Sequence, residues 1–481
     1  MPPKSIKKNY IYNLLQQILA FATPLITIPY VSRVLGAEGI GIYSYTNSIA
    51  FYFTLFAALG TSTYGQREIS YVQDDKEKRT QVFWNTEVRC IITTLICLIV
   101  YGIFVFFQKQ NQFIYFILSI SIIEVALNIT WLFMGMEEFG KIVKCNILVR
   151  ILNLIFIFTF VKNKTDLPVY VFGQTITMTI GFLCLWPYLP KFVGKPKFKD
   201  LHPFKDFKVV ISMFIPTIAI SIYTVLDKTM IGVLTNNAAE NGFYEQSMKI
   251  TKIALTFVTA LGVVMIPRIG TLFAKNEQKQ IQQYMYQSYR FVCFLGIPFC
   301  LGIIGTSSNF VPWFFGAGFD KVIPVLNTLS FVIVVIAISN VTGIQYLVPT
   351  KRQNLLTLSV LVGAVINFIC NLIAIPSYGA IGAAFASIGA ETAVTITQLV
   401  IVRKEISFWK ILKNSVKYII AGLVMLASLC FLKQHLTNTI ISTTILISSG
   451  AIIYIGLLFI LQDDFLLENA NKLKRKLLKK R

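Results

Sequence analysis

The chain has 481 residues, of which 55% are hydrophobic and only 14% are charged. Because a soluble globular protein carries about 25% charged residues, this composition excludes an ordinary soluble domain and predicts a protein embedded in lipid. The formal net charge of +22 does not indicate nucleic-acid binding, since the basic residues lie in short segments between apolar runs, as they do beside membrane spans.

The apolar runs predict an all-α polytopic membrane protein, since a span needs about 20 mainly apolar residues. We predict fourteen transmembrane helices, and in chain order they cover residues 11–32, 40–63, 84–107, 113–136, 141–161, 168–190, 209–234, 244–267, 289–314, 322–348, 354–375, 379–402, 416–432 and 439–461. The first run begins like a signal peptide, but polar residues interrupt it and it continues to Val31. We therefore expect an uncleaved first span.

The basic residues predict the orientation of these spans. With both termini in the cytoplasm, 33 of the 44 Lys and Arg lie on the cytoplasmic side, six lie in outer loops and five lie within spans. This bias follows the positive-inside rule and supports both the number of spans and their direction. The basic segment at 472–481 is then a cytoplasmic tail close to anionic lipid.

An internal repeat predicts two lobes of six helices each. Four residues recur at one fixed offset of 201 positions, and the pairs are Gly41 with Gly242, Tyr43 with Tyr244, Arg67 with Arg268, and Arg89 with Arg290. Six spans per copy give both lobes the same orientation, so their relating axis runs along the membrane normal. We expect an N-terminal lobe at 1–200 and a C-terminal lobe at 201–403. The segment 404–481 adds two further C-terminal helices and the basic tail.

Four segments carry a family resemblance that extends from the first predicted span to the last. They are "ITIPYVSRVLGAEGIGIYSY" (26–45), "LDKTMIG" with the following "GFY" (226–244), "VVMIPRIG" (263–270) and "INFICNLIAIPSYGAIGAAFASIGAE" (366–391). Together they resemble the polysaccharide repeat-unit flippases, which translocate O-antigen and capsular polysaccharide units. These proteins belong to the multidrug/oligosaccharidyl-lipid/polysaccharide exporter superfamily.

The resemblance implies a function that composition alone does not give. It implies a bacterial inner-membrane protein with a central cavity between two lobes, working by alternating access. The implied substrate is an undecaprenyl-pyrophosphate-linked oligosaccharide, flipped outward for capsule, O-antigen or wall-polymer assembly. A polysaccharide polymerase and a chain-length regulator are the candidate protein partners, and no cofactor is implied.

Charged residues inside spans are the candidate substrate site, because a charge at mid-membrane costs about 2.5–3.5 kcal/mol and needs a partner or water. Asp227 and Lys228 are adjacent in the seventh span and point in different directions, since helical neighbours differ by about 100°. Lys249 and Lys252 continue a charged stripe that begins at Glu245. Lysine ammonium groups bind phosphate as point charges, so we expect this stripe to line a cavity, with Asp227 balancing its charge. The alternative is a set of ion pairs that joins spans 7 and 8.

Arg33 ends the first span near the predicted outer face, in the N-terminal counterpart of the Asp227 region. We interpret it as a cavity cation facing Asp227 or the substrate pyrophosphate. The alternative is an interfacial arginine whose side chain extends to the lipid headgroups. In the resemblance, arginines of the first span are plausible substrate contacts.

Two further acids are candidate ion-coupling residues. Glu124 lies midway along span 4, where it either binds a proton or sodium or forms an ion pair with Arg150 at equal depth on span 5. Glu391 lies midway along span 12, after a run of small residues that permits close helix approach. It either forms an interhelical hydrogen bond or binds a coupling cation. Asn367 and Asn371 are predicted to bond between helices.

Other function classes remain as alternatives. A multidrug/cation antiporter of the same superfamily would favour an acidic cavity, whereas the residues within spans include at least as many cations as acids. A flippase for the peptidoglycan lipid precursor is a near relative. A polysaccharide polymerase or ligase would need a longer external loop. No P-loop pattern indicates ATP hydrolysis, and neither the eight Cys nor the two His have the spacing of a metal site.

Overall fold

The protein is described here from a computed structural model, which covers residues 6–196 and 198–468. The predicted basic tail at 472–481 lies outside these residues. Every long element within the described ranges is a helix, as the apolar runs predict. The helices of the N-terminal part are α1 Ile6–Ala58, α2 Thr61–Tyr71, α3 Lys76–Phe107, α4 Gln112–Leu127, α5 Thr130–Gly135, α6 Phe139–Phe160, α7 Leu167–Leu183, α8 Leu189–Phe192 and α9 Phe207–Leu234.

The C-terminal part continues in the same way. Its helices are α10 Ala238–Thr259, α11 Gly262–Ala274, α12 Gln278–Phe315, α13 Val322–Thr342, α14 Gln353–Tyr378, α15 Ala380–Ile401, α16 Phe408–Leu432 and α17 Ile440–Ile460. A π-helical turn, Gly343–Leu347, extends α13. All fourteen predicted spans lie on these helices, so the all-α membrane fold is confirmed.

The helices that could cross a membrane can be counted within the described residues. Within the described residues, eleven helices are long and apolar enough to cross a membrane. A twelfth is obtained if α10 and the segment Val264–Ala274, bent by 42° at the break between them, form one span. The first and second predicted spans both lie in α1, with a kink at Gly36 between them. The φ of Gly36 is 69°, a left-handed value that glycine adopts without strain. The number fourteen stays a prediction.

The chain forms two compact units, which we describe separately. The first unit contains Met1–Gly232 and Asn236–Gly242, and the second contains Val233–Thr235 and Phe243–Arg481. Helix α9 therefore packs with the helices that precede it, although the sequence repeat assigns it to the C-terminal lobe. Spatial packing and sequence repeat are different properties, so the lobe boundary after residue 200 stays a prediction.

A reciprocal glycine contact lies inside the first unit. A Cβ atom on Gly41 would lie 1.7 Å from the backbone oxygen of Ala238, and a Cβ on Gly242 would lie 2.0 Å from that of Ala37. Gly41 and Gly242 differ by 201 positions, and so do Ala37 and Ala238. Where a local two-fold axis relates two segments, a contact between two residues is repeated between their counterparts. Here the contact of Gly41 with Ala238 is repeated by that of Gly242 with Ala37. Within the first unit, both contacts thus join positions that the offset of the repeat relates.

The second unit has its own core, which includes the two C-terminal helices. Helices α16 and α17 pack on α12, where Gly305 and Gly422 leave room for larger side chains such as Leu429 and Ile297. The hydroxyl of Tyr454 on α17 donates to the Phe294 carbonyl at 3.0 Å. The last two helices are therefore a packed part of this unit.

Candidate functional site

The charged turn of α9 lies against the second half of α1. Asp227 is buried, with 8% of its surface exposed. Two residues later, Thr229 Oγ1 lies 3.0 Å from both the hydroxyl of Tyr52 and that of Ser48. The side chain of Asn241 donates to the carbonyl of Lys228 at 2.7 Å. Hydroxyl and amide groups therefore bond to the two residues that follow Asp227 on this turn.

Arg33 lies in the same unit and is exposed, three residues before the break in α1 at Gly36. Its exposure suits either of the two interpretations made from sequence, a cavity cation or an interfacial arginine. Its role stays a prediction.

The lysine stripe lies on α10 in the second unit. Lys249 Nζ is 3.6 Å from Glu245 Oε1, one helical turn earlier on the same helix. Lys252, three residues further along, is exposed. The charged stripe therefore exists as a continuous helix face. Arg33 and Asp227 belong to the first unit and the two lysines to the second, so a cavity shared by all four stays a prediction.

Glu124 on α4 has surroundings different from those predicted. Its Oε1 accepts a hydrogen bond of 3.0 Å from Thr179 on α7. Arg150 instead donates to the backbone carbonyl of Leu19 at 3.5 Å. The predicted ion pair between Glu124 and Arg150 is therefore wrong. The two residues lie at similar depth on neighbouring spans, but depth does not determine which way a side chain points around a helix.

A cavity of about 220 Å³ lies beside Glu124 in the first unit. Its polar lining was not found in the sequence analysis, and it consists of Asn47, Thr54, Ser121 and Asn128. The sequence does contain the signal. Ser121, Glu124 and Asn128 follow an i, i+3, i+7 pattern that places them on one face of a helix, and Asn47 and Thr54 are seven positions apart.

Glu391 and the asparagine pair lie on α15 and α14, which pack closely. A Cβ on Gly382 would lie 2.3 Å from the Ala374 carbonyl oxygen, as the predicted small-residue contact requires. Asn371 donates to Asn367 at 3.1 Å, and both side chains are buried. Glu391 is half-buried, and its proposed ion-coupling role stays a prediction. In the described residues, His, Cys, Asp and Glu form no group of three or more with metal-binding geometry.

Comparisons with known proteins agree with this architecture. Residues 6–273 match the family described as "Polysaccharide biosynthesis protein". A protein of Escherichia coli named "Putative O-antigen transporter" is 24% identical over 83% of this chain and 97% of its own length. A protein of Haloferax volcanii named as a probable low-salt glycan biosynthesis flippase is 26% identical over 61% of this chain and 62% of its own length.

A solved structure shows the same fold. The lipid II flippase MurJ, in an inward closed conformation, superposes with a TM-score of 0.73 over 94% of this chain and 99% of its own. Its sequence identity of 16% makes this a similarity of fold.

Proposed function

This chain belongs to the family of polysaccharide biosynthesis proteins, and on that premise we propose that it is a lipid-linked oligosaccharide flippase. It moves undecaprenyl-pyrophosphate-linked repeat units across the cytoplasmic membrane by alternating access. The units then enter capsule, O-antigen or wall-polymer assembly. The family match over residues 6–273 is the observation that carries the proposal.

Two further findings support it. The relative named as an O-antigen transporter aligns over nearly its whole length with this chain, so the similarity is not confined to one segment. The fold is that of a protein named as a lipid II flippase. A chain of apolar helices without a large loop suits movement of a substrate within the bilayer better than chemistry at its surface.

The proposed substrate site consists of Arg33, Asp227, Lys249 and Lys252. The pyrophosphate and acidic sugars are the anionic parts of the proposed substrate. Lysine and arginine side chains bind phosphate oxygens through charge-assisted hydrogen bonds, which are stronger where water is excluded. Asp227 offsets part of that positive charge, so that the site binds the substrate without retaining it.

We also propose the cellular setting. The protein lies in the cytoplasmic membrane of a bacterium with both termini in the cytoplasm, as the distribution of basic residues predicts. A polysaccharide polymerase and a chain-length regulator are its proposed partners, because flipped units must be joined on the outer side.

Deletion of the gene in the native host tests the function. We expect surface polymer to disappear and the lipid-linked unit to accumulate on the cytoplasmic side, and the wild-type gene to restore both. Unchanged polymer with increased sensitivity to cationic drugs would indicate an antiporter instead. Cell lysis with accumulated peptidoglycan precursor, in a strain where the gene is depleted, would indicate the peptidoglycan lipid flippase.

The lysine stripe gives the sharpest test of the site. We expect Lys249→Ala and Lys252→Ala each to reduce the flipping rate roughly 10- to 100-fold, because each removes one charge-assisted hydrogen bond of about 1.5–3 kcal/mol. Lys275→Ala and Lys279→Ala, which remove exposed lysines just after α11 and at the start of α12, serve as charge-matched controls. Full transport by the double variant Lys249→Ala/Lys252→Ala at normal protein level would reject the site.

A further inference from the structure

The cavity beside Glu124 has the composition of a small-cation site. It lies within the first unit, between the second half of α1, helix α4 and helix α7. Besides Glu124, its lining contains two amides and two hydroxyls, from Asn47, Asn128, Thr54 and Ser121. Carboxylate, amide and hydroxyl oxygens are hard ligands, which suit a hard cation and not a soft one.

Among the described residues that line the cavity, Glu124 is the sole charged group, and it is 8% exposed. The hydroxyl of Thr179 is directed to its Oε1, but the same hydroxyl also lies 3.0 Å from the carbonyl oxygen of Thr175. One hydroxyl hydrogen is thus shared between two acceptors. Within the part of the chain that the structure describes, Oε2 accepts no hydrogen bond from the protein.

An ionised carboxylate in this position lacks sufficient compensation. A charge within the membrane costs about 2.5–3.5 kcal/mol on insertion scales, and a single shared hydrogen bond does not offset that. Arg150 is bonded elsewhere, and within the described residues no ion pair includes Glu124. A proton on the carboxylate or a bound cation of charge +1 would neutralise the site, whereas a divalent ion would leave excess positive charge and takes six or more oxygen ligands.

The geometry points to a monovalent-cation site at Glu124, in which the carboxylate either takes a proton or holds Na⁺ together with oxygens of Asn47 and Ser121. Binding or release of the cation changes the net charge of this buried site, which lies between three helices. A cation gradient can therefore bias the conformation of the first unit, because a ligand shifts an equilibrium by its differential affinity for the two states. This coupling role rests on the proposed flippase function, whereas binding of the cation does not.

Binding is tested with purified full-length protein in lipid nanodiscs, so that the result is independent of transport. Thermal unfolding is measured in NaCl and in choline chloride of equal ionic strength, and infrared difference spectra record protonated carboxyl bands across a pH series. We expect either a sodium-specific rise in Tm, as mass action requires of a ligand that binds the folded state, or a titrating carboxyl band. Glu124→Gln should abolish whichever signal appears.

Three variants make the test specific. Glu77→Gln removes an exposed carboxylate at the start of α3 and should leave both signals unchanged. Glu124→Asp keeps the carboxylate and provides a folded comparison if Glu124→Gln is unstable. Asn47→Ala should weaken apparent sodium affinity about tenfold but leave a carboxyl band in place, which separates sodium from proton binding.

The outcomes are distinct. A sodium shift lost in Glu124→Gln supports a sodium site, and a carboxyl band lost in that variant supports a proton site. Wild-type protein that shows neither signal, or signals that persist in Glu124→Gln, would overturn the inference. Cation binding in a protein that fails the gene-deletion test would leave this site intact and reject the flippase function instead.

Discussion

At the scale of single residues, an ion pair joins the turn before α14 to the turn after α15, with Arg352 and Glu405 both outside the predicted spans. Arg352 donates two hydrogen bonds of 2.9 Å to the two carboxylate oxygens of Glu405, and Tyr346 donates a third of 2.7 Å. Partial burial alone would raise the pKa of Glu405, but the hydrogen bonds from Arg352 and Tyr346 lower the pKa below its ordinary value. The carboxylate is therefore bound in its charged form.

This contact predicts a pH-dependent contribution to stability. A carboxyl whose pKa is lower in the folded state stabilises the protein above its unfolded pKa of about 4.3 and loses that contribution as pH falls through the folded value. Because Glu405 is more than a third exposed, solvent screening limits the contribution to about 0.5 kcal/mol. We expect Glu405→Gln to lower the Tm at pH 7 and to match wild type near pH 3. A difference that is the same at both pH values, or an equal effect of the exposed-site control Glu468→Gln, would contradict this.

At the scale of helices, Gly41 and Gly242, which the repeat relates, each lie against a backbone carbonyl. A methyl group on either glycine would meet a backbone carbonyl, which cannot move aside as a flexible side chain can. We expect Gly41→Ala and Gly242→Ala each to reduce stability by about 1–3 kcal/mol, the usual cost of overpacking. The measurement is the apparent Tm of each purified variant.

Gly102→Ala is the matched control for these two variants, because a Cβ at Gly102 meets no atom within 4 Å. In a helix interior the change from glycine to alanine is by itself stabilising, by about 0.5–1 kcal/mol. The control should therefore be neutral or more stable than wild type. Equal stability of all three variants would show that the helices separate easily at this point.

The sequence predicted where helices lie but not where they break. Long apolar runs determine helical segments in lipid, because every backbone polar group must be paired within its own segment. The fourth predicted span nevertheless ends at Leu127 and resumes at Thr130. There the side chain of Asn128 accepts hydrogen bonds from the backbone N–H and the hydroxyl of Thr130. Such local side-chain bonds compete with the helix, and hydropathy is insensitive to them.

The candidate site shows the same limit. The sequence places Asp227 and Glu124 within predicted spans, and both side chains are buried in the fold. Orientation around the helix depends on how neighbours pack, so the partner of Glu124 was missed. The polar face formed by Ser121, Glu124 and Asn128 was visible as a spacing, but the cavity beside it arises from residues about 70 positions away in sequence.

At the scale of the whole molecule, the distribution of basic residues fixes a testable topology. Lys164 lies in the predicted outer connection between α6 and α7, and Lys279 lies near the start of α12 on the predicted cytoplasmic side; both are exposed. The native cysteines in the described chain are free and buried or half-buried, so they should contribute little background to labelling.

This pair of lysines therefore allows the orientation to be measured with a matched substitution on each side. In intact cells, a membrane-impermeant maleimide should label Lys164→Cys and leave Lys279→Cys unlabelled until the membrane is opened. We expect this difference in labelling because loops rich in Lys and Arg resist translocation and stay on the cytoplasmic side. The reverse pattern would mean that the orientation of the protein is inverted. Labelling of both sites from outside would mean that an even number of spans, and not the predicted three, separates Lys164 from Lys279. Because each added or missing span reverses every loop that follows, one such pair tests the span count across α7 to α11 as well as the orientation.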